Sequence, residues 1–236
     1  MEITAIVLAA GKGARFKKKV PKPLFRIGDK PILIYSLLNL SRHPGIKDII
    51  VVTNSLNQKK IIAEIKKYRI DKIRAVVLGG LRRQDSVAKG LAAIDNHTDF
   101  VLIHDAARPF INAKIISSVI KAAKEYGAAI SGVRVRHTIK QAKKINNNTG
   151  SVAFVEKTLD RKNLWEIQTP QVFKKSLIIE AYRKFGRLNV TDDASLVEKL
   201  KKRVSIVFGS YLNIKITAPE DIIVASEVLK NGALPD

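Results

Sequence analysis

The sequence predicts an α/β fold: a mostly parallel sheet flanked by helices, with a protruding β-arm. Three observations predict it. Apolar strands alternate with stretches of helical period, the pattern of parallel strands covered on both faces. Unusual residues recur just past strand ends, where an open α/β sheet binds its ligands. The alternation breaks across residues 134–162, in extended runs about an asparagine–glycine turn.

The first expected strand, residues 4–8, enters the small residues Ala9-Ala10-Gly11. A helix over 32–42, a strand over 48–53 and a helix over 58–68 follow. The strand 74–78 ends on Gly79-Gly80, a helix spans 85–94, and the strand 100–104 ends on Asp105-Ala106-Ala107-Arg108. The helix 113–126 carries Ile115, Ile116, Val119, Ile120 and Ala123 on one face, the spacing of a core-facing helix. A strand over 128–135 leads into the break. There, runs at 138–142 and 151–155 flank Asn146-Asn147-Asn148-Thr149-Gly150. Such a hairpin cannot bury both its faces alone. The plain reading is a hairpin folded back on its own domain. The chain then returns to the main body with a helix near 194–201 and runs at 204–208 and 213–217. Pro219-Glu220-Asp221 opens the last helix with favourable first-turn carboxylates. Without repeats, linkers or low-complexity tracts, residues 1–236 read as one domain with the arm 134–162 inserted in it.

A chain of 236 residues that is 46% hydrophobic can bury one sizeable core. Zero cysteines exclude disulfides, thiolate catalysis and cysteine–metal sites, and the four histidines form no metal-ligand cluster. Any metal should be a hard cation carried largely by phosphate oxygens. No apolar run approaches a membrane span, and Met1-Glu2-Ile3 leads straight into a strand, so a cytoplasmic chain without a membrane partner is expected. The net charge of +22 attracts polyanions. Its lysines are spread over predicted helix faces, with no aromatic-interleaved stripe and no nucleic-acid module, so no specific nucleic-acid partner is expected.

The segment AAGKGARFKKKVPKP at residues 9–23 carries the most chemistry. A strand entering a small, glycine-bearing turn lets backbone N–H groups approach an anion closely. Arg15 and Lys22 place two cations beside that turn, which suits a triphosphate and charge developing on one phosphoryl group. The segment lacks the third glycine of the dinucleotide fingerprint and contains no GxxxxGK[ST], so a plain strand-to-loop turn stays open.

AAGxGxR followed by PK resembles the opening of nucleotidyltransferases that join a sugar or polyol phosphate to a nucleoside triphosphate. Further blocks resemble one family among them, the 2-C-methyl-D-erythritol 4-phosphate cytidylyltransferases of the non-mevalonate isoprenoid pathway. They are Gly79-Gly80-Leu81-Arg82-Arg83-Gln84-Asp85-Ser86-Val87, His104-Asp105-Ala106-Ala107-Arg108-Pro109-Phe110 and Gln168-Thr169-Pro170-Gln171. Thr191-Asp192-Asp193-Ala194-Ser195 and Asn213-Ile214-Lys215-Ile216-Thr217 complete the set, in the family's order and over almost the whole chain. The resemblance implies a Rossmann-like fold whose β-arm makes a homodimer. It also implies CTP as co-substrate, a polyol phosphate as acceptor, and magnesium held mainly by CTP phosphates, with no direct protein ligand for the metal.

Cytidylyl transfer asks for positioning and neutralisation, since both reactants are anions and a phosphate monoester needs no strong general base. By resemblance Arg15 and Lys22 stabilise the α-phosphate in the transition state, while Arg161 and Lys215 hold the substrate phosphate. Ala9, Ala10, Gly11, Gly13, Gly80, Arg83, Ser86, Asp105 and Ala106 form the implied nucleotide site. A pyrimidine pocket read by backbone groups would require glycine at 80, although a Gly-Gly pair after a strand is often merely a turn. Asp105, Arg108, Thr138, Thr169 and Thr191 complete the implied substrate site. Arg108 reads either as an anion anchor or as a brace for its loop, His104 as a packed strand-end residue, and Thr191 also as a helix N-cap. Arg161 follows the arm and by resemblance reaches the partner's site.

One departure concerns His137-Thr138-Ile139-Lys140, where the family commonly has Asp before the threonine; a titratable group replaces a fixed acceptor there. Two rivals remain, ribitol-5-phosphate cytidylyltransferase and an idle nucleotide-binding relative. The Ser86-Val87 pair and His-Asp-Ala-Ala-Arg-Pro speak against the first, and joint retention of Arg15, Lys22, Arg161 and Lys215 against the second.

Overall fold

A computed structural model describes residues 1–11, 13, 16, 18, 20–147 and 150–231, the side chains of 144–147 and 150–152 excepted. Strand β1 (Glu2–Leu8) leads through a 3-10 turn (Lys22–Leu24) to a short ladder of β2 (Arg26–Ile27) and β3 (Lys30–Pro31). Then come α1 (Ile32–Arg42), β4 (Asp48–Thr53), α2 (Gln58–Lys67), β5 (Ile73–Leu78), α3 (Arg83–Leu91), β6 (Thr98–Asp105), α4 (Ala113–Tyr126) and β7 (Ala128–Arg134). The arm is β8 (Ile139–Asn147) and β9 (Gly150–Leu159). The chain closes with β10 (Trp165–Lys174), α5 (Lys175–Phe185), α6 (Ala194–Lys199), β11 (Ser205–Phe208) and α7 (Glu220–Lys230).

The main sheet has the order β11-β7-β10-β6-β1-β4-β5. All its neighbours pair in parallel except β10, which runs antiparallel to both β6 and β7. Strand order reverses around β1, so the crevice beyond the ends of β1 and β6 is the topological switch point where ligands bind. Register aligns those ends: Leu8 stands opposite Val52 on one side and Asp105 on the other.

Side chains alternate along β1, so Ile3, Ala5 and Val7 join the core under α1 and α4, while Ile6 joins that under α3 and α5. Burial on both faces explains why the strands read as continuous apolar runs. On α4 the predicted stripe is buried, and Asn112 caps the helix by accepting from the Ile115 amide at 2.8 Å. A third cluster packs Phe16, Ile27, Phe110 and Ile216 against Ala225 and Val228 of α7, which seats the 213–217 segment beside the first loop.

Besides the 3-10 turn and the short β2–β3 ladder, two longer elements escaped the sequence reading. Strand β10 carries Pro170, which ordinarily argues against a central strand. Its ladder with β7 skips residues 168–170, so the missing N–H removes no ladder bond. Helix α5 presents only Ile178 and Ala181 as buried residues, too thin a stripe to stand out among its charges. The arm is a two-stranded sheet of its own, with Phe154 and Val155 59% and 61% exposed. Residues 148–149 of its turn lie outside the described residues.

Candidate active site

Three loops continue the sheet ladder past the strand ends. The Ala9 amide donates to the Val52 carbonyl at 2.7 Å, Gly79 to Thr53 at 2.8 Å and Ala106 to Leu8 at 3.1 Å. The Asn54 side chain adds a bond to the Ala10 carbonyl at 3.4 Å. These bonds place the backbones of 9–11, 79–80 and 105–107 side by side along one crevice.

The crevice holds a cavity of about 710 Å³. Of the nucleotide residues predicted from sequence, Ala9, Ala10, Gly11, Gly13, Gly80, Arg83, Ser86, Asp105 and Ala106 line it, together with Lys22 and Lys215. Gly13 has φ of 63°, a left-handed conformation that favours glycine. Lys22 opens the 3-10 turn, with Pro21 ahead of it and Pro23 behind. Arg15 lies outside the described residues, as do Lys12, Lys17 and Lys19.

The two glycines after β5 are required by protein packing. A Cβ on Gly79 would stand 2.6 Å from Ser86 Oγ and 2.8 Å from the Ala10 Cβ, and one on Gly80 would stand 2.3 Å from the Asp85 Cβ. Ser86 Oγ, buried in α3, accepts from the Gly80 amide at 3.2 Å and donates to the Arg82 carbonyl at 3.2 Å. Asp85 accepts from the Arg82 amide at 3.0 Å and closes the start of α3. The glycine pair therefore lets α3 dock tightly under the loop, a different reason from the base edge expected at Gly80.

A second cavity, of about 430 Å³, adjoins the first. Arg108, Thr169 and Thr191, expected on the substrate side, line it. Arg83, Asp105 and Lys215 line both cavities. Lys215 Nζ donates to Asp105 Oδ2 at 2.6 Å, and Arg83 Nε lies 3.4 Å from Asp105 Oδ1. Burial alone would raise the Asp105 carboxyl, but the charges of Arg83 and Lys215 hold it well below the usual carboxylate range. Asp105 is the one acid among the described residues lining the larger cavity, and no cluster of acids or histidines able to hold a metal occurs among them.

His104 is fully buried, as expected of a packed residue. Its Nε2 lies 3.1 Å from the Arg108 carbonyl, which can only accept, so Nε2 carries the proton. Nδ1 then accepts from the Thr169 hydroxyl at 3.1 Å, and that oxygen accepts from the Asp105 amide at 3.1 Å. Burial pushes the imidazole down to about 4. Thr169 thus fixes the backbone beneath Asp105.

Arg108 braces its loop: its guanidinium donates to the Asn213 carbonyl at 2.7 Å and to Ile167 at 3.5 Å. Thr191 does not cap α6. Its N-cap position is Asp193, which makes no side-chain cap bond, and Asp192 just before it accepts from the Ser195 amide of the first turn at 3.1 Å. Thr138 and Arg161 do not join either cavity. Both are exposed at the base of the arm, where the Arg161 guanidinium donates to the Arg136 carbonyl. Sequence reading missed Asn54, one residue past β4, although the strand-end rule that found Asp105 applies to it equally. It also missed Gln171 and Asp192, whose side chains bond each other at 3.0 Å along the second cavity.

The sequence model of the family described as 2-C-methyl-D-erythritol 4-phosphate cytidylyltransferase matches residues 3–231. A relative with that description from Geobacillus kaustophilus is 41% identical over 232 residues, covering 97% of each chain. A bifunctional IspD/IspF enzyme from Desulfotalea psychrophila is 39% identical over 230 residues. That match covers 98% of this chain and 57% of the relative, so the chain spans little more than half of that protein. Among solved structures, 4-diphosphocytidyl-2C-methyl-D-erythritol synthase from Anaerococcus prevotii superposes with a TM-score of 0.82 at 34% identity, covering 97% of this chain and 96% of that one.

Proposed function

Because the chain belongs to the 2-C-methyl-D-erythritol 4-phosphate cytidylyltransferase family, we propose that it transfers a cytidylyl group from CTP to that polyol phosphate. The phosphate oxygen of the acceptor bonds to the α-phosphorus of CTP, and the bond from that phosphorus to the α,β-bridging oxygen breaks, so the β- and γ-phosphates leave together as pyrophosphate. The observation that carries this reading is the pair of adjoining cavities with a common wall of Arg83, Asp105 and Lys215. Two anionic reactants meeting at such a wall need fixed cations more than a proton acceptor.

In this reading CTP occupies the larger cavity, its base near Gly80 and Ser86 and its phosphates along Ala9, Ala10, Gly11 and Gly13. Arg15 bridges two α-phosphate oxygens through its fork, and Lys22 supplies a point charge. Lys215 takes the acceptor's phosphate at the mouth of the second cavity, where Thr169 and Thr191 stand. Magnesium supplies further neutralisation of the triphosphate when bound. With Asp105 the one acid along the described wall, the phosphates carry most of its coordination.

Residues 1–236 act as one domain, and the arm at 134–162 exchanges with that of a second copy to give a homodimer. The exposure of Phe154 and Val155 on a two-stranded sheet supports this, since such faces need cover. Arg161 and Thr138, exposed at the arm's base, then serve the partner's second cavity. The protein works in the cytoplasm; among the described residues no helix is long and apolar enough to cross a membrane. The test is pyrophosphate release with CTP, magnesium and 2-C-methyl-D-erythritol 4-phosphate, beside a parallel reaction with ribitol 5-phosphate. Release with the first acceptor alone is expected. Release with ribitol 5-phosphate alone, or with neither, would overturn the assignment.

A further inference from the structure

Behind the wall common to both cavities lie charges that the reaction does not use. Arg83 reaches Asp105 with Nε and, on its far side, Asp193 Oδ2 with Nη1 at 2.8 Å. Asp193 is fully buried, and its other oxygen accepts from the Tyr182 hydroxyl at 2.5 Å. The row Tyr182, Asp193, Arg83, Asp105, Lys215 therefore runs from α5 through the start of α6 and α3 to the crevice. An ion pair drawn this far from water gains little stability over an apolar pair of the same size. It does restrict direction, because a guanidinium with a carboxylate set against each of two edges has little room to turn. The surrounding backbone is tied in the same sense: the Gln84 side chain donates to the Leu188 carbonyl at 2.9 Å, joining α3 to the loop before α6. Burial and the neighbouring Asp193 raise the Tyr182 phenol far above its usual range, while Asp193 and Asp105 outweigh burial at Arg83 and keep it protonated.

We propose that Asp193 and Tyr182 are positioning residues that hold Arg83 against Asp105, so that the Lys215–Asp105 pair works as a latch coupling nucleotide and acceptor binding. The inference rests on the reading of the two cavities given above. Lys215 is engaged by Asp105 at 2.6 Å. A phosphate that takes Lys215 must first separate that pair. Once it is separated, Asp105 is open to accept from hydroxyls of the other reactant, so the second ligand meets no such cost. This works only if Asp105 stays ionised and in place after Lys215 leaves, and Arg83 ensures both. In the absence of Asp193, Arg83 is free to swing onto Asp105 and occupy the oxygen that Lys215 vacates.

The test measures binding of a non-hydrolysable α,β-methylene CTP by calorimetry, with and without 2-C-methyl-D-erythritol 4-phosphate. In the wild type the acceptor should tighten the analogue about tenfold, an ordinary coupling between two sites. Asp193→Asn should bring that ratio close to one, and Tyr182→Phe should lower it in the same direction. Ile178→Val, which loosens α5 in the core and leaves every polar group of the row in place, should keep the wild-type ratio. A wild-type ratio near one, an unchanged ratio in both Tyr182→Phe and Asp193→Asn, or an equal loss in Ile178→Val overturns the latch. Product formation by the wild type, measured alongside, separates the two levels: product with no coupling sinks only this inference, and no product sinks the cavity reading as well.

Discussion

Acidification should destabilise this protein through His104 before most of its carboxylates are reached. The folded state holds that imidazole neutral because Nε2 is committed to the Arg108 carbonyl, Nδ1 to the Thr169 hydroxyl, and no water reaches it. A second proton would put N–H groups from both His104 and Asp105 on the Thr169 oxygen. In the unfolded chain the ring titrates near 6.5, and in the fold near about 4. Between those values the unfolded state binds a proton that the folded state does not, so stability falls as pH falls and this contribution is gone below the lower value. By pH 4.5 the loss relative to pH 7 comes to about 2 to 3 kcal/mol, a sizeable share of a typical domain's stability. Burial also depresses His43, which adds loss of the same sign. The comparison of wild type with His104→Gln isolates His104, because glutamine keeps an N–H donor yet cannot charge. Urea unfolding at several pH values between 7 and 4.5, followed by the fluorescence of the sole tryptophan, Trp165, reads both slopes. Stability that is flat over that range, or equal slopes in the two proteins, would refute the reasoning.

Lys22→Ala and Arg15→Ala should each lower turnover by about two orders of magnitude or more with the fold intact, the usual effect of removing one preorganised charge contact; near-normal turnover in a folded variant would remove that residue from the mechanism. Gly79→Ala drives a Cβ to 2.6 Å from Ser86 Oγ. It should cost about 1 to 3 kcal/mol by overpacking and raise the KM for CTP by displacing Ser86, and an unchanged KM would argue that Ser86 plays no part in the nucleotide site. Mixing an Arg161→Ala chain with a Lys215→Ala chain should restore activity that neither homodimer has, since one site of the mixed dimer carries both wild-type cations. No recovery after subunit exchange would assign Arg161 to its own chain.

Much of the architecture is legible from neighbours in sequence. Apolar runs at β1, β4 and β6, the buried stripe of α4 and the turn-flanked arm are set by contacts within one strand or one helical turn, which the residue pattern records directly. The strand-end rule likewise brought Ala9, Gly80 and Asp105 to one crevice. Pairings across long stretches of chain leave no such record. Asp105 meets Lys215 across 110 residues and Thr169 across 64, and nothing local to either partner announces it. The same holds for Arg108, whose side chain the fold commits to the Asn213 and Ile167 carbonyls. Tertiary structure also overrode two local rules, placing Pro170 in a central strand where the ladder lapses and starting α6 after Asp193, so that Asp192 and not Thr191 bonds its first turn. Periodicity reports which face of an element is buried. Which charges meet on the far side of that burial depends on how the elements pack, and here packing put Arg83, Asp105 and Lys215 in the wall between two cavities.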